Sequence, residues 1–455
     1  MRTRIAILAL TVALLAAAVS CARTPTPEPT PSADQAALAT EFVDLLVRGD
    51  YSKATQAMDA TMRAQLGGDK LAEVWKQILG QVGAFKSQSG TRAERSGQYD
   101  VVYVTCEFEQ ATLDVKVVFD SARRVSGLWF APSQSHQPWV PPAYARLDTF
   151  QEQEVRFGEG EWVLPGTLTL PLSGSPCAAV VLVHGSGPND RDESVGSNKP
   201  FRDLAWGLAS QGIAVLRYEK RTREYASKLA TLDVPLTVKE ETIDDALAAA
   251  DLLRRTEGID RERVFVLGHS LGGTLVPRIG ELDSQLAGLI VLAGATRPLE
   301  DLVLEQTQYI FSLDGTLSES EKAQLEELEQ QVQLVKDPGL ITTTKPTKVL
   351  LGAPAQYWLD LRDYRPAEAA KALQQPMLIL QGGRDYQVTL ADFEGWQQAL
   401  GDKPKVTLKL YPSLNHLFIT GEGKSMPSEY DSPGHVDEEL IADIAAWVEK
   451  QPTSQ

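Results

Sequence analysis

Histidine and cysteine are scarce in this 455-residue chain, with five of the first and three of the second. So few cysteines exclude a scaffold built on disulfides. The histidines are scattered, with no H-E-x-x-H stretch and no Cys/His pair at ligand spacing, so no metal site is expected. A G-x-x-x-x-G-K-[ST] phosphate loop and a G-x-G-x-x-G fingerprint are also missing, and no cofactor is expected. Positive charge is in deficit: 44 Lys and Arg stand against 61 Asp and Glu, for a net charge of −17. A field of that sign repels phosphate backbones, which excludes nucleic acid as a natural partner. The apolar run from Ile5 to Val19 falls short of the roughly 20 residues that a spanning helix needs.

What that run does match is the apolar centre of a signal peptide, preceded by Arg2 and Arg4. Ala18-Val19-Ser20-Cys21 resembles a bacterial lipoprotein signal, in which the cysteine becomes the lipidated first residue of the mature chain. The expectation is an exported protein, either attached to a membrane through a lipidated Cys21 or secreted. Residues 22–33 then alternate Pro with Thr, which favours an extended tether over a packed core.

The rest of the chain is too long for one ordinary core, and two folded domains are expected. In the first, residues 34–133, Leu38, Phe42, Leu45 and Leu46 recur at helical spacing, with Asp34 as a candidate N-cap. A second helical stretch lies near Leu71 to Leu79. Strand-like segments follow at Asp100 to Phe108, Leu113 to Phe119 and Val125 to Phe130. Helices followed by antiparallel strands make a small α+β domain. The order is similar to that of the nuclear-transport-factor-2-like fold, in pattern rather than in motif. Residues 134–150 read as a Pro-rich linker.

Beyond it the pattern changes. Short buried runs at Ala178–Val183, Ile213–Leu216, Val264–Leu267, Leu289–Leu292, Met377–Leu380 and Val406–Leu410 alternate with helical stretches such as Phe201–Ser210 and Glu240–Arg255. That rhythm predicts an α/β fold over 151–452, a mostly parallel sheet with helices on both faces. Residues 296–375 break the rhythm with polar helical sequence and no strand-like run, as a helical insertion would.

Gly268-His269-Ser270-Leu271-Gly272 directly follows the buried run Val264–Leu267. This is G-x-S-x-G in its required strand–turn–helix setting, and it nominates Ser270 as a nucleophile. A serine hydroxyl needs a base, and five histidines allow one to be found by elimination. His136 lies in the linker, His184 directly follows a strand, and His269 sits within the turn and points away from Ser270. His435 begins the last helix and has a cap or surface role as its simplest reading. His416 remains, in the loop after the last strand. The acid that would orient it is Asp385, at the end of the Gly-rich turn after Met377–Leu380. Backbone donors for a developing oxyanion are expected at Leu271 and at Ser186, with Gly187 as second choice, in the His184-Gly185-Ser186-Gly187 loop.

With these elements the region from Glu152 to Val448 resembles the α/β-hydrolase superfamily. The whole chain looks like bacterial lipoprotein-type carboxylesterases that pair a small N-terminal domain with a GHSLG hydrolase domain. The resemblance implies a helical lid at 296–375 and hydrolysis of small or short-acyl esters through an acyl-enzyme. Two other readings stay open. One keeps the triad but makes the protein an aminopeptidase, amidase or thioesterase, with Asp190, Asp192 or a lid glutamate holding a substrate amine. The other is a non-catalytic, surface-tethered binding protein. Cys106 and Cys177 are expected as buried free thiols.

Overall fold

The computed structural model describes residues 33–451, apart from 97–98, 134–138, 175, 230–231, 233–235 and 341–343. The leader, Cys21, most of the tether and His136 therefore lie outside the described residues. Among those described, no helix is long and apolar enough to cross a membrane. The chain divides into two compact units at Ser135/His136.

The first unit opens with four helices, α1 (Ala33–Val47), α2 (Tyr51–Gln56), α3 (Ala60–Gln65) and α4 (Gly68–Val82). Helix α1 buries Ala39, Phe42, Val43 and Leu46, one stripe at helical spacing. Asp34 lies inside its first turn rather than capping it. A four-stranded antiparallel sheet follows in the order β1 (Phe85–Ser96), β2 (Tyr99–Phe108), β3 (Thr112–Phe119), β4 (Val125–Pro132). Alternate residues Val102, Val104 and Cys106 on β2 and Leu113, Val115 and Val117 on β3 face the helices. Cys106 and Cys177 are both buried and free. Burial pushes the Cys106 thiol up to about 12, which keeps it unreactive.

The second unit is built on an eight-stranded sheet in the order β14-β13-β10-β9-β7-β8-β6-β5. Its strands are β5 (Phe150–Phe157), β6 (Leu164–Pro171), β7 (Cys177–Val183), β8 (Ala214–Tyr218), β9 (Ile259–His269), β10 (Gly288–Leu292), β13 (Met377–Gly382) and β14 (Val406–Tyr411). Strands β7 to β10, β13 and β14 pair in parallel, and β5 and β6 add an antiparallel edge. Both faces are covered, which is why the central strands read as continuous apolar runs. On β7, Ala179, Val181 and Val183 meet α8 (Asp244–Arg255) and α9 (Leu271–Leu282) on one side. Ala178, Val180 and Leu182 meet α5 (Pro200–Ala209) and the helix Glu438–Lys450 on the other. The short helices α6 (Arg221–Glu224) and α7 (Ala226–Leu229) lie between β8 and α8.

Residues 139–149, expected as part of a linker, are fastened to this unit. Trp139 Nε1 donates to Asp203 Oδ1 (3.0 Å), and Tyr144 donates its hydroxyl to the Val436 carbonyl (2.8 Å). The interval between β10 and β13 is mainly helical, with α10 (Leu299–Phe311), α11 (Glu319–Lys336) and helices Ala355–Leu361 and Pro366–Lys371. Ser318 and Glu321 close a reciprocal capping box at the start of α11. The interval also holds a two-residue hairpin, β11 (Val349–Leu350) and β12 (Ala353–Pro354), too short to give a strand pattern in the sequence.

Candidate active site

Strand β9 ends at His269, and α9 begins at Leu271, so Ser270 alone makes the turn. Its φ of 56° and ψ of −118° are strained for a residue with a side chain. Two glycines allow so sharp a reversal. A Cβ on Gly272 would stand 2.3 Å from the Val183 carbonyl oxygen, so only glycine lets α9 pass the end of β7. Ser270 itself is half-buried at the C-terminal edge of the sheet.

His416 sits in the loop after β14, and Asp385 in the turn after the neighbouring strand β13. Gly382 lets the turn and the loop touch, since a Cβ there would lie 2.6 Å from the carbonyls of Leu414 and Asn415. His416 Nδ1 and Asp385 Oδ2 are 2.7 Å apart, and the Asp385 carboxylate is wholly shielded from solvent. Its other oxygen accepts from the amides of Gln387 (2.7 Å) and Val388 (3.0 Å). Asn415, which motif reasoning passed over, shapes the loop: its Oδ1 accepts from the amides of Leu417 (3.0 Å) and Ile419 (3.1 Å).

Of the two bonds expected at His416, the one to Asp385 is formed and the one to Ser270 is not. The elbow and the histidine loop meet instead through His269, whose ring centroid lies 4.6 Å from that of His416 and whose Nε2 is 2.9 Å from the His416 carbonyl oxygen. His435 is remote in role, paired with Asp203 and lying ahead of the last helix, which starts only at Glu438.

The loop after β7 leans on the nucleophile, for a Cβ on Gly185 would lie 3.1 Å from Ser270 Cβ. The amide of Gly185 is already taken, donating to Glu193 Oε1 (2.6 Å). No described residue accepts from the amides of Ser186, Gly187 or Leu271, which leaves these donors for an incoming oxygen. Two buried residues that the sequence reading did not single out, Glu193 and Lys220, hold the loop. Glu193 Oε2 pairs with His269 Nδ1 (2.9 Å), and Lys220 donates to the Gly185 carbonyl (2.7 Å) and pairs with Glu241 (3.1 Å). Burial alone would raise the Glu193 pKa and lower that of His269, but their pairing reverses both, holding Glu193 below the usual carboxylate range and His269 above the usual imidazole range. His184, fully buried with Nδ1 unpartnered, is pushed down by burial to about 4.

A cavity of about 680 Å³ opens beside this loop. Ser186, Gly187 and Pro188 form one wall, and Leu299, Val303 and Trp358 of the insertion form another. Glu241, the carboxylate of the lining, is engaged by Lys220, by the Tyr357 hydroxyl (2.8 Å) and by Thr222 (3.4 Å).

A strained serine at the strand-to-helix turn, a buried Asp–His pair and free amides on the adjoining loop define a serine hydrolase. Residues 174–423 match the family described as "Serine aminopeptidase, S33", and the chain belongs to it. It is 38% identical over 415 residues to esterase EstD of Thermotoga maritima, covering 90% of this chain and 94% of that one. Residues 39–128 match a family described only as a protein of unknown function, DUF3887. Among solved structures, the esterase domain of a Rhodothermus marinus protein aligns with a TM-score of 0.40 at 18% identity, over 66% of this chain and 98% of that one. Est1E of Butyrivibrio proteoclasticus aligns with a TM-score of 0.41 at 14% identity, over 65% and 99%.

Proposed function

We propose that the protein is a carboxylesterase acting on small or short-acyl esters, with Ser270, His416 and Asp385 as its triad. The carrying observation is the shielded 2.7 Å bond from His416 Nδ1 to Asp385, which leaves Nε2 as the basic nitrogen at the end of the sheet that holds Ser270. Ser270 Oγ attacks the ester carbonyl and its proton passes to His416 Nε2. The Ser–His contact tightens with substrate in place, as catalytic hydrogen bonds commonly do. The carbonyl oxygen takes up negative charge against the amides of Leu271 and Ser186, with Gly187 beside them. Collapse expels the alcohol, which receives the proton from His416. Water, deprotonated by the same nitrogen, then attacks the acyl-enzyme, and Ser270 leaves with its proton restored.

The side chains near the site favour esters over amino-terminal peptides. Asp192 is held by Lys199, Arg202 and Arg217, and Asp190 Oδ1 accepts from the amides of Asp192 and Ser194. Glu241 is paired with Lys220, so among the described residues that line the cavity no carboxylate is left unpaired for a substrate ammonium. The test is a p-nitrophenyl ester chain-length series alongside an aminoacyl p-nitroanilide. Turnover should be highest on short esters and abolished in Ser270→Ala, and a fluorophosphonate should label Ser270. Full activity in the alanine variant, or anilide turnover rivalling the esters, overturns the reading. The residues before position 22 support a second part of the proposal, export with lipidation at Cys21. Labelled palmitate should be incorporated by the wild type and lost in Cys21→Ala.

A further inference from the structure

Gly185 is gripped from both ends by buried charge. Its amide donates to the carboxylate of Glu193, and its carbonyl accepts from the ammonium of Lys220 at 2.7 Å. Neither charged group reaches solvent: the side chains of Glu193 and Lys220 are 5% and 2% exposed. Glu193 also holds a backbone φ of 50°, a left-handed conformation costing about 1–2 kcal/mol in a residue with a Cβ, which its surroundings must enforce.

The carbonyl that Lys220 engages belongs to the same planar peptide as the amide N–H of Ser186. A cation on the oxygen of a peptide draws electron density from its nitrogen and makes the N–H a stronger donor. We propose that Lys220 is a positioning residue for the reaction: it orients and polarises the Gly185–Ser186 peptide so that Ser186, rather than Gly187, supplies the second oxyanion donor, while Glu193 fixes the other side of Gly185. The Ser186 amide has no acceptor among the described residues, whereas the Gly185 amide is spent on Glu193. Asn189 Nδ2 donates both to the same carbonyl (3.2 Å) and to the Ser186 carbonyl (3.0 Å), so the peptide that carries the Gly187 amide has only a neutral contact, whereas the one that carries the Ser186 amide holds the ammonium as well. The inference rests on the esterase reading above.

The experiment compares Lys220→Met, Asn189→Ala and Asn189→Asp with the wild type on p-nitrophenyl acetate. A trifluoromethyl ketone, whose adduct with Ser270 carries the oxyanion, serves as inhibitor. Lys220→Met should lower kcat about tenfold to hundredfold, less than the loss of a whole donor. KM should stay within about threefold, and ketone affinity should weaken in parallel with kcat. Asn189→Ala should lower kcat by a few fold, and Asn189→Asp, which sets an anion beside the carbonyl, by about tenfold or more. A folded Lys220→Met enzyme with wild-type kcat, or a loss confined to KM, overturns the inference. If Lys220→Met shows no cooperative thermal unfolding, Lys220→Gln, which keeps a neutral donor at the Gly185 carbonyl, takes its place, and wild-type kcat in that variant overturns the inference. A wild type that turns over no ester defeats the esterase reading instead, so the two failures are distinguishable.

Discussion

Replacing Asp385 with Asn removes one charge and no volume, and the structure says which way the new amide will turn. Asp385 Oδ1 accepts from two backbone amides, while Oδ2 faces His416 Nδ1 and takes a longer contact from Gln381 Nε2 (3.3 Å), which keeps the Val388 carbonyl (2.8 Å) as acceptor if that contact is lost. If the Asn oxygen takes the place of Oδ1, its NH2 meets Nδ1 and donates to it. The imidazole proton is then forced onto Nε2, the nitrogen that must accept from Ser270. The opposite orientation preserves the useful tautomer but sets NH2 against the amides of Gln387 and Val388. Leaving two buried donors unsatisfied costs about 1–3 kcal/mol each, or about 2–6 kcal/mol together. At 1.36 kcal/mol per decade, the productive arrangement falls to about one molecule in 30 at the low end and one in 10⁴ at the high end. Loss of the carboxylate beside the imidazolium adds to this, so kcat should drop about 10³–10⁴-fold. The assay is steady-state hydrolysis of p-nitrophenyl acetate at pH 7–8, with a thermal melt to establish that the variant is folded. A folded Asp385→Asn enzyme within tenfold of wild-type kcat would refute the assignment of both the acid and the tautomer.

His184 makes stability fall in acid. Its pKa drops from 6.5 to about 4 on folding, so the unfolded chain binds the extra proton, and the contribution is complete above pH 6.5 and lost as pH falls towards 4. The full loss is about 3 kcal/mol, and urea unfolding at pH 7 and pH 4 should show a smaller difference in His184→Gln than in the wild type. The Glu193–His269 pair contributes with a window of its own. The raised His269 pKa gives stability that is full below about 6.5 and lost as pH rises through its folded value, and the lowered Glu193 pKa gives stability that is lost as pH falls below about 4.5. Glu193→Gln should therefore flatten the alkaline side of the stability profile; an unchanged profile would argue that the pair is not charged in the folded state. Val303→Trp narrows the cavity, so octanoate turnover relative to acetate should fall about tenfold, worth about 1.4 kcal/mol.

The parallel core was legible because burial on both faces demands unbroken apolar runs, and β7 to β10 and β13 carry them. Three strands of the two larger sheets escaped: the edges β1 and β5, and the inner strand β6, whose Pro165 and Gly166 read as a turn. Strand β5 reads Phe-Gln-Glu-Gln-Glu-Val-Arg-Phe, and its glutamates are spent outside the core, Glu152 on Trp206 Nε1 (2.7 Å) and Glu154 on Arg191 (2.7 Å). Strand β1 is polar for the same reason, being the outermost of its sheet. Ser270 could be placed because its flanking glycines are a steric necessity, and Asp385 and His416 because each follows a recognisable strand. Glu193 and Lys220 gave no signal, since an acidic or basic residue in a loop usually faces water and only the folded chain shows these two buried against one glycine. His269 was visible as part of the turn, but its buried links to Glu193 and to the His416 carbonyl depend on contacts 76 and 147 positions away in the chain.

The wall formed by Leu299, Val303 and Trp358 comes from a single excursion of the chain between β10 and β13, whereas the reacting groups stand on the strand ends themselves. What the enzyme admits and how it cuts are thus written in separate stretches of sequence. Grafting the excursion from one homologue onto another should change the menu of substrates and leave the cutting machinery as it was.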